Sequence, residues 1–157
     1  MPKSLKSVIE EANTHHIFLA AVSAWANRDL NSLAPLIADE VIRNVNVDPV
    51  IVPFAASVVG KDAYLETLQL NLQKFEFGAY VTDFLQIDGN IARASMKTIW
   101  THRGSGEMLK TRHTVVVTQR NGKIVSFDKY CDAAYLEAFA RLVATCNRGY
   151  EANHTSR

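Results

Sequence analysis

The chain has 157 residues and a formal net charge of +1, with 48% hydrophobic and 21% charged residues. This length and composition are typical of one globular domain that builds its core without disulfides or metals. The charge argues against a general nucleic-acid-binding protein, which carries a basic excess. No stretch approaches the roughly 18 apolar residues of a membrane span, and polar residues interrupt any signal-peptide pattern near the start. We therefore expect a soluble cytoplasmic protein that binds neither nucleic acid nor membranes.

Apolar residues at helical spacing predict four helices. They cover about residues 7–27, 30–38, 63–74 and 134–144. Asp29 stands where it would cap the second helix, and Asp132 stands just before the fourth. A tail is predicted over residues 147–157, after an ordered core of about 7–146.

Alternating and β-branched segments between turn signals predict five strands. They cover about residues 41–47, 80–87, 91–103, 108–120 and 123–132. Helices come mostly first and a meander of strands follows, which is typical of the α+β class. No linker or repeat divides the chain, so we predict a single α+β domain over residues 1–157.

The dipeptide Asn121-Gly122 is a strong hairpin signal, because a two-residue type I′ turn requires positive φ at both positions. If Arg120 pairs with Lys123 and the register continues without interruption, one face carries six residues: Arg112, Thr114, Val116, Phe127, Lys129 and Cys131. The opposite face then carries His113, Val115, Val117, Asp128, Tyr130 and Asp132. We expect this second face to be convex and to form a homodimer, since monomers rarely expose a large apolar patch.

Three segments resemble the nuclear transport factor two-like superfamily, in particular its SnoaL-like and ketosteroid-isomerase-related branch. They are residues 25–41, residues 60–63, and residues 121–125 followed by Tyr130 and Asp132. The resemblance covers about residues 7–139. It implies a cone, in which a curved antiparallel sheet wraps around about three helices and leaves an internal pocket. Members of the superfamily include isomerases, cyclases, dehydratases, epoxide hydrolases and non-catalytic modules, so fold alone does not settle function.

The catalytic side chains of these relatives are mostly missing at the matching positions. Ala21 replaces the isomerase tyrosine, the aspartate base falls near Val45 between Asn44 and Asn46, and Thr114 replaces the second aspartic acid. Lys129 stands where cyclases and epoxide hydrolases have an aspartate. Met96 and Thr98 replace the arginine and aspartate of the epoxide hydrolases. The resemblance also implies that Thr98, Thr114 and Lys129 face the pocket.

Three basic side chains are the candidate catalytic residues, namely His102, Arg112 and Lys129. Arg112 and Lys129 would hold an anion if both enter the pocket, since buried cations need a partner. The alternative is that Lys129 extends to the rim and Arg112 pairs with an acid such as Asp132. His102 is either a general acid/base or a solvated residue near a hairpin tip. Asp132 itself is better explained as a helix cap.

The remaining candidates would line the pocket: Trp25, Val45, Asn46, Phe54, Thr98, Trp100, Thr114 and Phe127. Core packing is the alternative role for the aromatic residues among them. Cys131 and Cys146 have no metal-ligand spacing, and we predict neither a metal nor a cofactor.

The sequence leaves two functions open. One is an enzyme that moves protons in a small apolar carbonyl compound, by isomerisation, cyclisation or dehydration. The other is a non-catalytic module that binds a ligand and dimerises. Both predict a small organic ligand, which is an anion if the two cations enter the pocket.

Overall fold

The computed structural model describes residues 2–155, and side chains for residues 2–145. Its helices are α1 (Leu5–Ala26), α2 (Leu30–Leu33), α3 (Lys61–Lys74) and α4 (Ala133–Thr155). Its strands are β1 (Ile37–Val45), β2 (Val58–Val59), β3 (Phe75–Asp88), β4 (Ile91–His102), β5 (Met108–Arg120) and β6 (Lys123–Tyr130). The helix α4 extends well past the predicted 134–144. Residues 156 and 157 of the predicted tail, and the side chain of Cys146, lie outside the described residues.

The six strands form one curved, open sheet in the order β2-β1-β6-β5-β4-β3. Every neighbouring pair is antiparallel except β1 and β6, which are parallel. The predicted α+β cone is therefore confirmed, with a mixed rather than a purely antiparallel sheet. The parallel pair is allowed because long connections separate β1 from β6, whereas a tight hairpin would force an antiparallel pair.

Side-chain caps begin three of the helices. The Ser4 hydroxyl accepts from the Ser7 amide at 3.2 Å and begins α1. Asp29 accepts from the Ser32 amide at 3.0 Å and begins α2, and Asp132 accepts from the Tyr135 amide at 3.2 Å and begins α4. The predicted caps at Asp29 and Asp132 are confirmed. Each satisfies an amide that has no partner within its own helix.

The core lies in the concavity of the sheet. α1 packs against β3, β4 and β5, and α3 packs against β1, β2 and β3. The largest fully buried side chains are those of Phe75, Ile37, Met96, Val41, Val52 and Val115. A second cluster joins Leu136 and Ala140 of α4 to Val45, Val52 and Ala55, so α4 covers one end of the cone. No helix in the described part of the chain is long and apolar enough to cross a lipid bilayer.

A β-bulge at Val125 decides which side chains of β6 face inward. Arg120 pairs with Lys123 and Gln119 with Ile124, but the next pair is Thr118 with Ser126. Val125 is thus an extra residue in β6, and beyond it every pairing differs by one from the predicted register. Val115, not Thr114, pairs with Lys129. A one-residue shift moves side chains to the opposite face, so the predicted division of faces is wrong.

Four residues of β5 lie on the face opposite to the predicted one. Val115 and Val117, predicted to lie on the convex face, are 2% and 5% exposed and belong to the core. Arg112 and Thr114, predicted to lie on the concave face, are exposed on the outer one. In the next hairpin, Arg112 pairs with Lys97 and not with a residue of the inward set that includes Met96 and Thr98.

Candidate functional site

A cavity of about 70 Å³ lies between α1, α3 and the concave face of the sheet. Its wall is mainly apolar and aromatic, with six polar or charged residues: Arg43, Tyr64, Asn71, Tyr80, His113 and Lys129. A second space of about 20 Å³ is lined by some of the same residues, Asn71, Trp100 and Lys129. The two spaces together have room for several waters or a small organic molecule.

Arg43 projects from β1 into this wall and is only 4% exposed. Its Nη1 donates to the Ala56 carbonyl oxygen at 2.7 Å, while its buried Nε has no hydrogen-bond partner in the described part of the chain. Burial lowers the pKa of the guanidinium from its ordinary value. Arginine nevertheless stays protonated in proteins, so a positive charge with an unused donor lies at the cavity.

Lys129 projects from β6 beside it. Burial and the positive charge of Arg43 lower the pKa of the ammonium group from 10.5 to about 8. Neither cation has an acidic partner: the ion pairs among the described side chains join Lys3 to Glu11, and Lys97 and Arg112 to Asp83. Nor does any aspartate or glutamate among the described residues line either space.

His113 of β5 is 4% exposed, and no described residue forms a hydrogen bond with its Nδ1. Burial, with Lys129 and Arg43 nearby, lowers its pKa to about 3. The imidazole is therefore neutral at neutral pH. It adds a polar group to the wall without a third positive charge.

The other polar groups come from α3 and β3. The ring of Tyr64 lies 6.0 Å from the guanidinium carbon of Arg43, within the range of a cation–π contact. Burial raises the pKa of Tyr64 and of Tyr80, so both phenols stay protonated. The buried Oδ1 of Asn71 accepts no hydrogen bond from the residues that the structure describes. Within residues 2–145 no cluster of His, Cys, Asp and Glu has the arrangement of a metal site.

No protein-family model matches the sequence, and no curated protein is significantly similar to it. Solved structures are similar in fold. An NTF2-like protein from Burkholderia xenovorans LB400 superposes with a TM-score of 0.70 at 17% identity, over 80% of this chain and 93% of that one. A proposed SnoaL-like polyketide cyclase from Mesorhizobium loti gives 0.61 at 20% identity, over 74% and 97%.

A third protein, from Catenulispora acidiphila, has a ketosteroid isomerase-like fold and was solved with trimethylamine. It gives a TM-score of 0.61 at 15% identity, over 73% of this chain and 83% of that one. The chain has the NTF2-like fold. Identities this low show the fold and leave the activity to be argued from the site.

Several predicted site residues do lie on the wall of the NTF2-like cone. Lys129, Trp25, Trp100 and Phe127 line the larger space. Phe54 and Thr98 line the smaller one, where the Thr98 and Thr111 hydroxyls are 2.7 Å apart.

Other predicted residues lie elsewhere. Arg112 is on the outer face, where its Nη2 lies 3.2 Å from Asp83, and Thr114 is exposed beside it. Both positions follow from the bulge at Val125. Val45 packs in the cluster beneath α4. Asn46 is exposed and bonds the backbone of Cys131 through both ends of its amide, at 2.8 and 2.9 Å.

His102 is neither solvated nor on the cavity wall. It is 4% exposed at the end of β4, packs edge-to-face on Phe75, and its Nδ1 lies 2.8 Å from the Ser105 hydroxyl. Burial lowers its pKa, with Lys74 adding to the effect. Its contacts stabilise the hairpin between β4 and β5 and give it no access to a ligand in the larger space.

Sequence reasoning missed Arg43, Tyr64, Asn71, Tyr80 and His113. For Arg43 a signal was present. It stands between Val41 and Val45 in a strand that alternates inward and outward, so a charged residue occupies the apolar side. The signal for His113 was lost with the register, because the uninterrupted pairing placed it on the outer face.

Proposed function

We propose that the protein binds a small organic anion with an apolar body inside the cone, with Arg43 and Lys129 flanking the anionic group. The observation that carries this proposal is the pair of cations on a mainly apolar wall, with no acidic partner for either among the side chains of residues 2–145. Burying unpaired charge is costly, and an anion would relieve both residues at once. The apolar remainder of the wall favours a hydrocarbon or aromatic body.

The unused donors favour an oxyanion in particular. Arg43 donates to the protein through Nη1 and leaves Nε free. A guanidinium edge is suited to the two oxygens of a carboxylate or to an enolate. Independently of any relative, these contacts support Arg43 as the anion-binding residue in place of Arg112, which pairs with Asp83 on the outer face.

Proton transfer on a carbonyl compound is the chemistry we assign to this site. Lys129, with a pKa of about 8, can accept or return a proton near neutral pH. Arg43 would stabilise the developing enolate. This differs from a carboxylate base, since no aspartate or glutamate among the described residues lines the space. The same observation favours the second candidate, a non-catalytic binding module. Deuterium uptake next to the carbonyl of a bound ketone would separate the two.

Binding is tested by the fluorescence of Trp25 and Trp100, the two tryptophans of the chain, which both line the cavity. Valerate should change the emission, and pentanol should do so only at much higher concentration. Arg43→Met should weaken valerate binding by about tenfold or more, in the range for losing a charge-assisted hydrogen bond. Lys97→Met on the outer face is the matched control. Equal affinity for valerate and pentanol would contradict the proposal.

Trimethylamine is a useful further probe. The protein from Catenulispora acidiphila was solved with it, and it is a cation at neutral pH. A wall that carries Arg43 and Lys129 should repel it. Binding of trimethylamine in preference to valerate would overturn the anion assignment.

A homodimer through the outer face remains our proposal, with corrected residues. Val81, Phe84 and Tyr130 expose 52%, 61% and 55% of their surface there, beside the charges of Asp83, Lys97 and Arg112. A second copy would cover these apolar groups. Phe84→Lys should reduce the mass measured by light scattering to that of one chain, with Val50→Lys in a separate loop as control. A wild-type monomer at micromolar concentration would refute the dimer.

A further inference from the structure

We propose that the amino group of Lys129 forms an imine with the carbonyl carbon of a small keto acid whose carboxylate binds to Arg43. This inference rests on the proposed anion site and adds a covalent step and a substrate class to it.

The strand pairing places the two groups at a suitable separation. Arg43 pairs with Phe127, and Val45 pairs with Lys129, across the parallel strands β1 and β6. Arg43 and Lys129 are therefore diagonal neighbours on the inner face. Strand spacing and the rise per residue put their Cα atoms about 8 Å apart. One small molecule can then place a carboxylate at Arg43 and a carbonyl a few atoms away at Lys129.

The charges of the wall explain why the lysine is the group that reacts. Arg43 cannot lose its proton, and no acid among the described residues lines the cavity. Burial, together with repulsion from Arg43, therefore favours the unprotonated form of Lys129, whose pKa falls to about 8. The titratable groups around it are Arg43, His113, Tyr64, Tyr80 and Cys131, and at neutral pH only Arg43 among them is charged. An unprotonated amine in an apolar site is an activated nucleophile.

The step balances without a further reactant. The lone pair of Nζ attacks the carbonyl carbon, the C–O π electrons move to oxygen, and a proton passes from nitrogen to oxygen to give a carbinolamine. Loss of the hydroxyl group and the second Nζ proton as water gives the C=N bond. One amine and one carbonyl thus give one imine and one water, and no oxidation occurs.

The test uses levulinate, a keto acid, with borohydride as the reductant. Borohydride delivers hydride to the imine carbon and fixes the adduct as a secondary amine, which peptide mapping by mass spectrometry locates. We expect labelling at Lys129 and about tenfold less of it in Arg43→Met. Valerate has the same carbon chain without the ketone and should give no label. Lys97→Met, which removes an exposed lysine of the outer face, should label as the wild type does.

The variant Lys129→Arg is the control that distinguishes loss of the reactive amine from loss of the fold. It keeps a cation on the wall, so it should still bind valerate by tryptophan fluorescence, yet it should give no adduct. If levulinate and valerate both bind and Lys129 is not labelled, the imine is overturned while the anion site stands. If neither binds, the proposed function fails as well. Even labelling across the surface lysines would also overturn the imine.

Discussion

The guanidinium carbon of Arg43 lies 6.0 Å from the centre of the Tyr64 ring. The aromatic face stabilises the charge where a carboxylate would ordinarily do so, and no acid among the described wall residues competes with a ligand anion. Such a contact contributes about 0.5–2 kcal/mol, which is less than the several kcal/mol lost on burying an ion. The protein contacts of Arg43 therefore compensate its charge only in part, which leaves electrostatic strain.

That strain gives the first prediction. Arg43→Met should raise the free energy of unfolding by about 1 kcal/mol, because relief of an unpaired buried charge outweighs the lost hydrogen bond to Ala56. Thermal unfolding should show a midpoint roughly 2–4 °C higher. Arg112→Met, which removes an exposed ion pair, should change the free energy by less than about 0.5 kcal/mol. A clear loss of stability in Arg43→Met would contradict the argument.

The lowered pKa of Lys129 leads to a prediction for the free energy of unfolding at alkaline pH. Its pKa is about 8 in the folded chain against an ordinary 10.5. Between these values the unfolded chain holds the proton and the folded chain does not, so stability rises with pH. The gain should be about 2 kcal/mol, less than the full shift implies because the side chain is partly exposed. Urea unfolding across this window should show the rise in the wild type and not in Lys129→Met. Parallel pH profiles for the two proteins would contradict the assignment of this stability gain to Lys129.

The lowered pKa of His113 leads to a prediction for the free energy of unfolding at acidic pH. Its pKa falls from 6.5 to about 3 in the folded chain. Between these pH values the imidazole is protonated in the unfolded chain and neutral in the folded chain. Stability should therefore fall as pH drops through this window. His113→Gln should flatten the fall even if its stability at neutral pH is lower. His15→Gln, at an exposed position of α1, should keep the wild-type slope. An unchanged slope in His113→Gln would count against the burial of a neutral imidazole.

Two methionines of adjacent strands test the packing of the concave face. Met96 is fully buried and Met108 is 50% exposed. Met96→Ala should cost about 2–5 kcal/mol through lost burial and the cavity left behind. Met108→Ala should change the free energy of unfolding by less than about 0.5 kcal/mol. Chemical denaturation of both variants gives the comparison, and similar costs would mean that the inner face is wrongly assigned.

Much of the fold was predictable because its signals are local. The Asn121-Gly122 turn, the strands around it and the caps at Asp29 and Asp132 each depend on a few adjacent residues. The start of β1 at Ile37 was not predictable, since helical spacing continues through it and only tertiary packing turns it into a strand. The parallel pairing of β1 with β6 joins residues that are distant in the sequence, and no local pattern specifies it.

The candidate site was harder to predict for a related reason. Lys129 was identified correctly as a wall residue from a resemblance, while Arg112 was placed beside it by a register that assumed no interruption. Val125 is an ordinary β-branched residue in a strand, and nothing in its immediate sequence marks a bulge. Unless the position of the bulge is known, alternation along the strand cannot assign Arg112 or His113 to the correct face.

The extra residue at Val125 also bears on how such a pocket changes over evolution. Successive residues of a strand point to opposite faces of the sheet. Loss of one codon near this position would therefore exchange the inward and outward side chains of the following segment without replacing any residue. Phe127 and Lys129 would leave the cavity, and Asp128 would enter it. Since Arg43 of β1 would stay, a single deletion could thus replace one of the two cations of the pocket with an anion and leave a wall with no net charge, a shorter route than replacing each residue in turn.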